Sequence, residues 1–334
     1  MVDNADRSPV GLVLGSEIPP ERIAGIARTA EGSGFGELWL AEDCFFTGGI
    51  SGAAIALGAT ETIPIGVGVV SAVTRHPAIL AMELATLARA FPGRLYPAIG
   101  LGVPAWLDQM GLRPTAPLAA VRGCVTAVRT LLDGGTVDRS EGRFTFRDVR
   151  LSHPPHDPVP LRLGVAGPKM LRLSGAVADG TLLSVLASTE YVGWARDQVT
   201  RGATEAGRDP STHRLTTFAL CSVDRDGARA RAAARDAVAF YLAAGGANAL
   251  TDAYGISAEL TRMITAGGAD EVARSMPDTW VRDLAVAGDP DECATRIREL
   301  RAAGSDRVAL FPTPLERADD IVTLLGERVL PALR

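Results

Sequence analysis

The chain alternates between short apolar runs and longer segments in which apolar residues recur at helical spacing. Each run is rich in Val, Leu and Ile without polar alternation, which is typical of strands buried on both faces of a parallel sheet. The predicted strands are 10–15, 37–42, 63–70, 94–102, 159–167, 180–185, 214–223 and 307–312. The predicted helices that follow them are 20–33, 50–60, 77–90, 117–133, 168–178, 189–206, 224–244 and 316–330.

Eight strand–helix units in 334 residues favour a closed (β/α)8 TIM barrel, with an open doubly wound sheet as the alternative. Residues 1–334 are expected to form a single domain. Residues 134–158 predict an insertion hairpin after strand 4, with its turn at Glu141-Gly142. Residues 245–288 predict extra helices after strand 7, forming a lid or a packing element. The active site is expected where the strands end, on the C-terminal face.

The segment "VAGPKMLRLSGAVADG" (165–180) joins predicted strand 5 to a helix. Pro168 suits the first helical position, and Gly167 lets backbone approach a ligand closely. The free N–H groups at the helix start and the charge of Lys169 form a candidate phosphate site. A tight strand-to-helix turn with a solvated lysine is the alternative.

The composition narrows the choice of partners. The net charge is −5, 22% of residues are charged and 47% are hydrophobic, and no basic run occurs. We therefore expect no nucleic-acid or membrane partner. The four cysteines are scattered, and His153 and His156 lack metal-ligand spacing, so we expect no metal and a reduced compartment. The first residues do not form a signal-peptide pattern, which predicts a cytoplasmic protein.

Four segments carry a family resemblance: "GFGELWLAEDCFF" (34–46), "TRHPAILAMELATLARAFPGR" (74–94), "GPKMLRLSGAVADG" (167–180) and "ADDIVTLLGERVLPAL" (318–333). Together they resemble the bacterial-luciferase-like oxidoreductases, and most of all the branch that uses the deazaflavin coenzyme F-420, similar to methylenetetrahydromethanopterin reductases. The resemblance implies a TIM barrel, a flavin-type ring over the barrel mouth, phosphate at the helix after strand 5, and a homodimer.

The resemblance also implies cofactor-binding residues. A non-proline cis peptide after strand 3 corresponds to Gly68–Val69, where the alternative is an ordinary buried strand. Ser71, Arg75 and His76 line the cofactor edge or cap the next helix. The full cofactor-binding set is Gly68, Val69, Val70, Ser71, Arg75, His76, Gly100, Leu101, Gly102, Ala166, Gly167, Pro168, Lys169 and Met170.

Candidate catalytic groups lie after strands 1 and 2. Glu42 and Asp43 are adjacent, so we expect at most one to face the barrel axis; either is a general acid, or one neutralises an arginine. The resemblance implies an acid near the cofactor at Glu17, our first candidate for the proton donor. Related dehydrogenases carry a catalytic histidine where this chain has Cys44, and an acid where it has Val103.

Without that histidine, the reductive direction is favoured. A reduced deazaflavin carries hydride on carbon and reacts poorly with oxygen, which predicts hydride transfer to an activated C=C or C=N bond of a small organic or natural-product substrate. Glu17, Asp43, Cys44 or solvent would supply the proton. Trp106 and Met110, with the 245–288 insertion, are candidates for an apolar substrate wall. The alternatives are an FMN-dependent monooxygenase and a non-catalytic flavin-binding barrel.

Overall fold

Eight parallel strands close into a barrel in the computed structural model, which describes residues 7–141 and 143–333. The strands are β1 (Val10–Leu14), β2 (Glu37–Leu40), β3 (Ile65–Ser71), β4 (Leu95–Gly100), β5 (Arg162–Gly164), β6 (Gly180–Leu183), β7 (Arg214–Val223) and β8 (Arg307–Pro312). Each pairs with the next, and β8 pairs with β1. The TIM-barrel prediction is confirmed, and the open sheet is excluded.

The helices surround this barrel and alternate with its strands. They are α1 (Pro20–Gly32), α2 (Gly49–Ala59), α3 (Pro77–Ala90), α4 (Pro104–Gln109), α5 (Pro117–Leu132), α6 (Pro168–Val177), α7 (Thr189–Glu205), α8 (Gly227–Gly245), α9 (Ala249–Ala253), α10 (Ser257–Ser275), α11 (Asp278–Leu284), α12 (Pro290–Ala302), α13 (Ala318–Leu324) and α14 (Leu330–Ala332). Within the described ranges, none is both long and apolar enough to cross a bilayer.

The first insertion is a hairpin, as predicted. Its strands, Ser140–Glu141 and Phe144–Thr145, pair antiparallel. The expected turn falls on Gly142, which lies outside the described residues. The hairpin reaches back to the barrel mouth, because Phe144 and Phe146 pack edge-to-face on the ring of His76 at centroid distances of 5.0 and 4.8 Å.

The second insertion is a packing element. Helix α10 packs along α8, and the hydroxyl of Tyr254 donates to Asp283 at 2.8 Å within the insertion. A short strand, Val286–Gly288, pairs with β7 outside the barrel, and α12 follows it. The sequence pattern missed both, although Asp289 and Glu292 form a capping box at the start of α12.

The barrel interior is filled below the mouth. Trp39 is fully buried there, in a cluster with Val13, Leu182 and Ala309. Its indole packs edge-to-face on Phe218 at 5.6 Å between centroids. Because this layer fills the barrel interior, the cavity along the barrel axis lies above it, at the C-terminal ends of the strands.

Candidate functional site

A cavity of about 480 Å³ opens at the C-terminal ends of the barrel strands. That volume falls within the range of roughly 300–1,000 Å³ usual for small-molecule sites. It is lined by Glu42, Asp43, Cys44, Gly68, Val69, Ser71, Thr74, Leu101, Gly102, Val103, Trp106, Leu107, Gly164, Val165, Ala166, Met170, Leu182, Leu183, Ser184 and Phe218. The structure therefore brings together predicted residues from β2, β3, β4 and β5.

The cavity floor is formed by the bulge in β3. The Gly68–Val69 peptide is cis, as the resemblance implied, and the register between β3 and β4 shifts there. Val69 packs against two neighbouring strands at glycines: a Cβ on Gly164 would lie 2.1 Å from Val69 Cγ1, and one on Gly100 would lie 3.0 Å from Val69 Cγ2. The missing side chain of Gly100 thus leaves space for Val69, and Gly100 itself does not line the cavity.

The N-terminus of α6 lies at one side of the mouth. No side chain caps this helix at Gly167, and Lys169 on its first turn is exposed. Lys169 is the only lysine of the chain, although Lys and Arg together number 34. The buried Tyr191 donates its hydroxyl to the carbonyl of Ala166 at 2.8 Å, which fixes the loop before the helix. Ala166 and Met170 line the cavity, while Gly167, Pro168 and Lys169 lie at its rim.

Glu42 forms an ion pair with Arg75 at the site. Arg75 donates two hydrogen bonds to its carboxylate, at 2.6 and 2.9 Å, and the backbone N–H of Gly49 donates a third at 3.1 Å. Burial acts to lower the pKa of Arg75, but its hydrogen bonds and charge interaction with Glu42 outweigh this and raise it. The sequence left two roles open for Glu42 and Asp43, a general acid or a partner that neutralises an arginine. The structure shows Glu42 as the partner of an arginine.

Asp43 also faces the cavity, which contradicts the expectation that only one of the adjacent acids would. Strand β2 ends at Leu40, so side chains no longer alternate at these positions. The hydroxyl of Ser16 donates to Asp43 at 2.7 Å. Tyr241, from the end of α8, is near as well: burial, followed by the charges of Asp43 and Glu17, raises its pKa to about 12.

Cys44 lies beside these carboxylates. Its thiol is half-buried, and partial burial together with the charges of Glu42 and Asp43 raises its pKa, against the opposing charge of Arg75. The thiol is therefore protonated at neutral pH. The Cys44–Phe45 peptide is also cis, a feature that the sequence did not indicate.

Several predicted residues lie outside the cavity. Glu17 is exposed and lines a second cavity of about 420 Å³ on the outer side of the β1 loop, because the turn after β1 buries Ser16 and turns Glu17 outward. Val70 is fully buried in the core around the barrel. His76 caps α3, its Nδ1 accepting from the N–H of Ala78 at 3.2 Å. Met110 packs against the buried cluster around Leu107.

Only part of the predicted apolar substrate wall lines the cavity. Trp106 lines the cavity, whereas no residue of 245–288 does among the described lining residues. Sequence reasoning missed Gly164, Ser184, Phe218 and Tyr241. All three of the first residues lie within predicted strands. Closeness to the C-terminal end of the strand was a signal for Gly164 and Ser184, whereas Phe218 lies in the middle of β7 and gave no such signal. Tyr241 carried none, because it lies within the apolar pattern of a helix.

A closed parallel barrel with a small-molecule cavity at its C-terminal mouth defines the class: an enzyme-type (β/α)8 barrel, here with an uncapped helix N-terminus beside that cavity. The chain belongs to the luciferase-like monooxygenase family, whose model matches residues 5–307. Among its relatives, it is 29% identical over 317 residues to 5,10-methylenetetrahydromethanopterin reductase from Methanolobus tindarius, covering 93% of this chain and 96% of the relative.

Two further relatives share nearly the whole length. The F-420-dependent glucose-6-phosphate dehydrogenase of Nakamurella multipartita is 28% identical over 332 residues, covering 94% of this chain and 93% of the relative. The solved structure of F-420-dependent tetrahydromethanopterin reductase from Methanopyrus kandleri superimposes with a TM-score of 0.87 at 25% identity, covering 98% of this chain and 100% of that one. The similarity therefore extends across the barrel and both insertions.

Proposed function

We propose that this protein is an oxidoreductase that uses coenzyme F-420 and reduces an activated C=C or C=N bond in a small organic or natural-product substrate. The observation that carries the proposal is the apolar cavity at the C-terminal mouth of the barrel, which lies beside the uncapped N-terminus of α6. Named relatives along the full chain length are F-420-dependent enzymes, which supports the choice of cofactor.

The residues present fit such a cofactor. A planar tricyclic ring suits the cavity between Val69 and the apolar side chains of Met170 and Leu182, which all line it. A phosphate suits the α6 N-terminus, where unpaired N–H groups and the Lys169 ammonium are favourable for an anion. Bound in its reduced form, F-420 would supply a hydride from a ring carbon.

The side chains of the cavity would then supply the proton. Glu42 is committed to Arg75, which leaves Asp43 and Cys44 as the other acidic side chains among the described residues that line the cavity. The thiol of Cys44 is protonated at neutral pH and stands where related dehydrogenases carry a histidine. A protonated donor suits addition of hydride and proton to an unsaturated bond, whereas oxidation of an alcohol needs a base.

A binding experiment tests the choice of cofactor. We expect purified protein to bind F-420 with micromolar or tighter affinity in a fluorescence titration, and to bind FMN far more weakly. Preference for FMN would instead support the monooxygenase alternative, which the same family includes. Binding of neither would favour the non-catalytic barrel. Reoxidation of reduced F-420, followed by absorbance against a panel of enones and imines, then tests the reaction class.

A variant of the lysine tests the anion site. Lys169→Ala removes the ammonium of the one lysine in the sequence and is expected to raise the Kd for F-420 by about tenfold, as loss of one charge-assisted contact does. Lys169→Arg keeps the charge and is the matched control. Unchanged affinity in Lys169→Ala would remove the lysine from the cofactor site.

A further inference from the structure

A separate cavity of about 280 Å³ lies at the start of α5, beside the barrel mouth. Two guanidinium groups face it, those of Arg113 and Arg143, and the lining residues that the structure describes include no acid. The other lining residues are small or uncharged, mainly alanines of the first turns of α5. The cavity therefore carries positive charge, which favours an anion.

Both arginines are held in place by contacts that leave donors available. Arg113 pairs with Asp108 at 2.6 Å, and Arg143 donates to the carbonyl of Leu112 at 2.8 Å. The guanidinium of Arg143 also lies 5.8 Å from the ring centroid of Phe144. Each guanidinium carries five N–H groups, so both retain hydrogen-bonding capacity toward a ligand. Because Asp108 offsets one charge, the pair presents a net charge of about +1.

The backbone adds to this charge. Helix α5 has 16 residues and begins after Ala116 without a side-chain cap, as α6 does after Gly167. The two helices pack against each other and start at the same end of the barrel. Packed helices lie about 8–10 Å apart, which two or three extended residues span at roughly 3.3–3.6 Å each.

One packed cluster of side chains contributes a lining residue to this cavity and to the main one. Ala120 lines the arginine cavity and packs in a cluster with Leu107 and Val73, while Leu107 lines the main cavity. A molecule whose ring occupies the main cavity therefore has an anion site at α6 and a second cationic site at α5 within reach of its side chain.

We propose that the cavity lined by Arg113 and Arg143 binds carboxylates of the oligoglutamate tail of F-420. The inference rests on the proposed function and extends it, since it assigns the part of the cofactor beyond the phosphate. Arginine forks match carboxylates in a bidentate geometry, which favours a glutamate chain over a second compact ring. The tail thus adds affinity without entering the reacting cavity.

Fluorescence titration with three ligands tests the assignment: the deazaflavin chromophore with its ribityl chain alone, F-420 carrying the phosphate but no glutamate, and F-420 with several glutamates. Arg113→Gln and Arg143→Gln are each expected to raise the Kd for the glutamylated form about three- to tenfold and to leave the other two unchanged. Lys169→Ala should instead weaken the glutamate-free form as well. Added salt should reduce the glutamate-dependent gain.

Arg122→Gln is the matched control, because Arg122 is exposed on α5 and does not line the cavity. If the unmodified protein binds F-420 but the arginine variants bind every form as well as it does, the tail assignment is wrong and the proposed function stands. Equal weakening of all three ligands would show a structural role and also overturn it. If the unmodified protein binds no deazaflavin, both proposals fail.

Discussion

At the residue scale, the candidate site depends on positions where a side chain is absent. Gly164 and Gly100 leave the space that Val69 fills, so the bulge in β3 requires glycines on two neighbouring strands. Gly167 differs, because an added Cβ there would meet no atom within 4 Å, and its φ of −84° is open to any residue. The protein's own packing therefore does not require glycine at the start of α6, whereas an anion bound close to its N–H groups would.

Gly167→Ser is expected to separate stability from binding. The serine hydroxyl would accept from the first free N–H groups of α6 and raise the free energy of unfolding by a few tenths of a kcal/mol. The same contact competes with phosphate, so the Kd for F-420 should rise about tenfold. Thermal unfolding and fluorescence titration measure the two effects. Gly48→Ser is the matched control and should leave cofactor binding unchanged, because Gly48 likewise precedes a helix, α2, without a side-chain cap and does not line the main cavity.

At the scale of elements, the sequence pattern predicts the strands and helices of the barrel closely. The elements that it predicts wrongly have physical causes. Strands β7 and β8 match their predicted bounds to the residue. Strand β5 spans only Arg162–Gly164, and its late start follows Pro160, which cannot donate a hydrogen bond to the sheet. Helix α12 was missed because its surface is strongly polar, which weakens the hydrophobic period.

The candidate site was less predictable, for a related reason. Strand-end residues such as Ser71 and Leu101 follow directly from the barrel topology, and the structure places them in the cavity. Side chains in turns do not, because outside a strand the alternation of faces is lost: Asp43 turns inward and Glu17 outward. Tyr241 reaches the mouth only through the packing of α8, which no local pattern encodes.

The connection between α1 and β3 depends on one carboxylate. Glu31 accepts hydrogen bonds from the backbone N–H groups of Glu61, Thr62 and Ile63, at 2.6 to 3.1 Å, and from the Thr62 hydroxyl at 3.0 Å. Burial acts to raise the pKa of Glu31, but these hydrogen bonds outweigh it and lower the pKa to about 2. The carboxylate thus holds the loop that leads into β3.

Glu31→Gln is expected to lower the free energy of unfolding at pH 7 by about 1 to 2 kcal/mol, since a neutral amide accepts these bonds less well. The folded pKa lies below the unfolded value of 4.5, so the stabilisation is complete above pH 4.5 and is lost as pH falls toward 2. Urea unfolding at pH 7 and pH 3 measures this. Glu327→Gln, at an exposed position, is the control. A deficit that stays the same at both pH values would contradict the prediction.

At the scale of the whole molecule, the two ends of the barrel carry different chemistry. The closed end holds buried charges: Glu37 accepts from the indole N–H of Trp39 at 2.8 Å and lies 4.0 and 3.7 Å from the guanidinium groups of Arg162 and Arg307. Arg162 in turn lies 4.9 Å from the ring centroid of Tyr96. The charges at this end are paired with one another inside the protein, although Oε2 of Glu37 accepts no hydrogen bond from any described residue. At the mouth, Glu42 is paired with Arg75, whereas Lys169 is exposed beside the cavity.

The same closed end holds a histidine that couples folding to pH. His213 is 4% exposed, and its Nε2 lies 2.8 Å from the hydroxyl of Thr181, which contacts Ser174. Burial, followed by the charges of Arg196 and Arg208, lowers its pKa from 6.5 to about 4. The folded protein therefore keeps this imidazole neutral over a range in which the unfolded chain binds a proton.

Because the unfolded state binds more protons between pH 6.5 and pH 4, the free energy of unfolding should fall as the pH falls through that window. The group's contribution is of order 3 kcal/mol, fully present above pH 6.5. In His213→Gln the amide can still form a hydrogen bond with Thr181 but does not titrate. Urea unfolding between pH 4 and pH 7.5 should therefore show a free energy of unfolding that depends less steeply on pH than in the unmodified protein. His156→Asn, in an exposed loop, should retain the original slope. Identical slopes in His213→Gln and the unmodified protein would mean that His213 is not the group responsible.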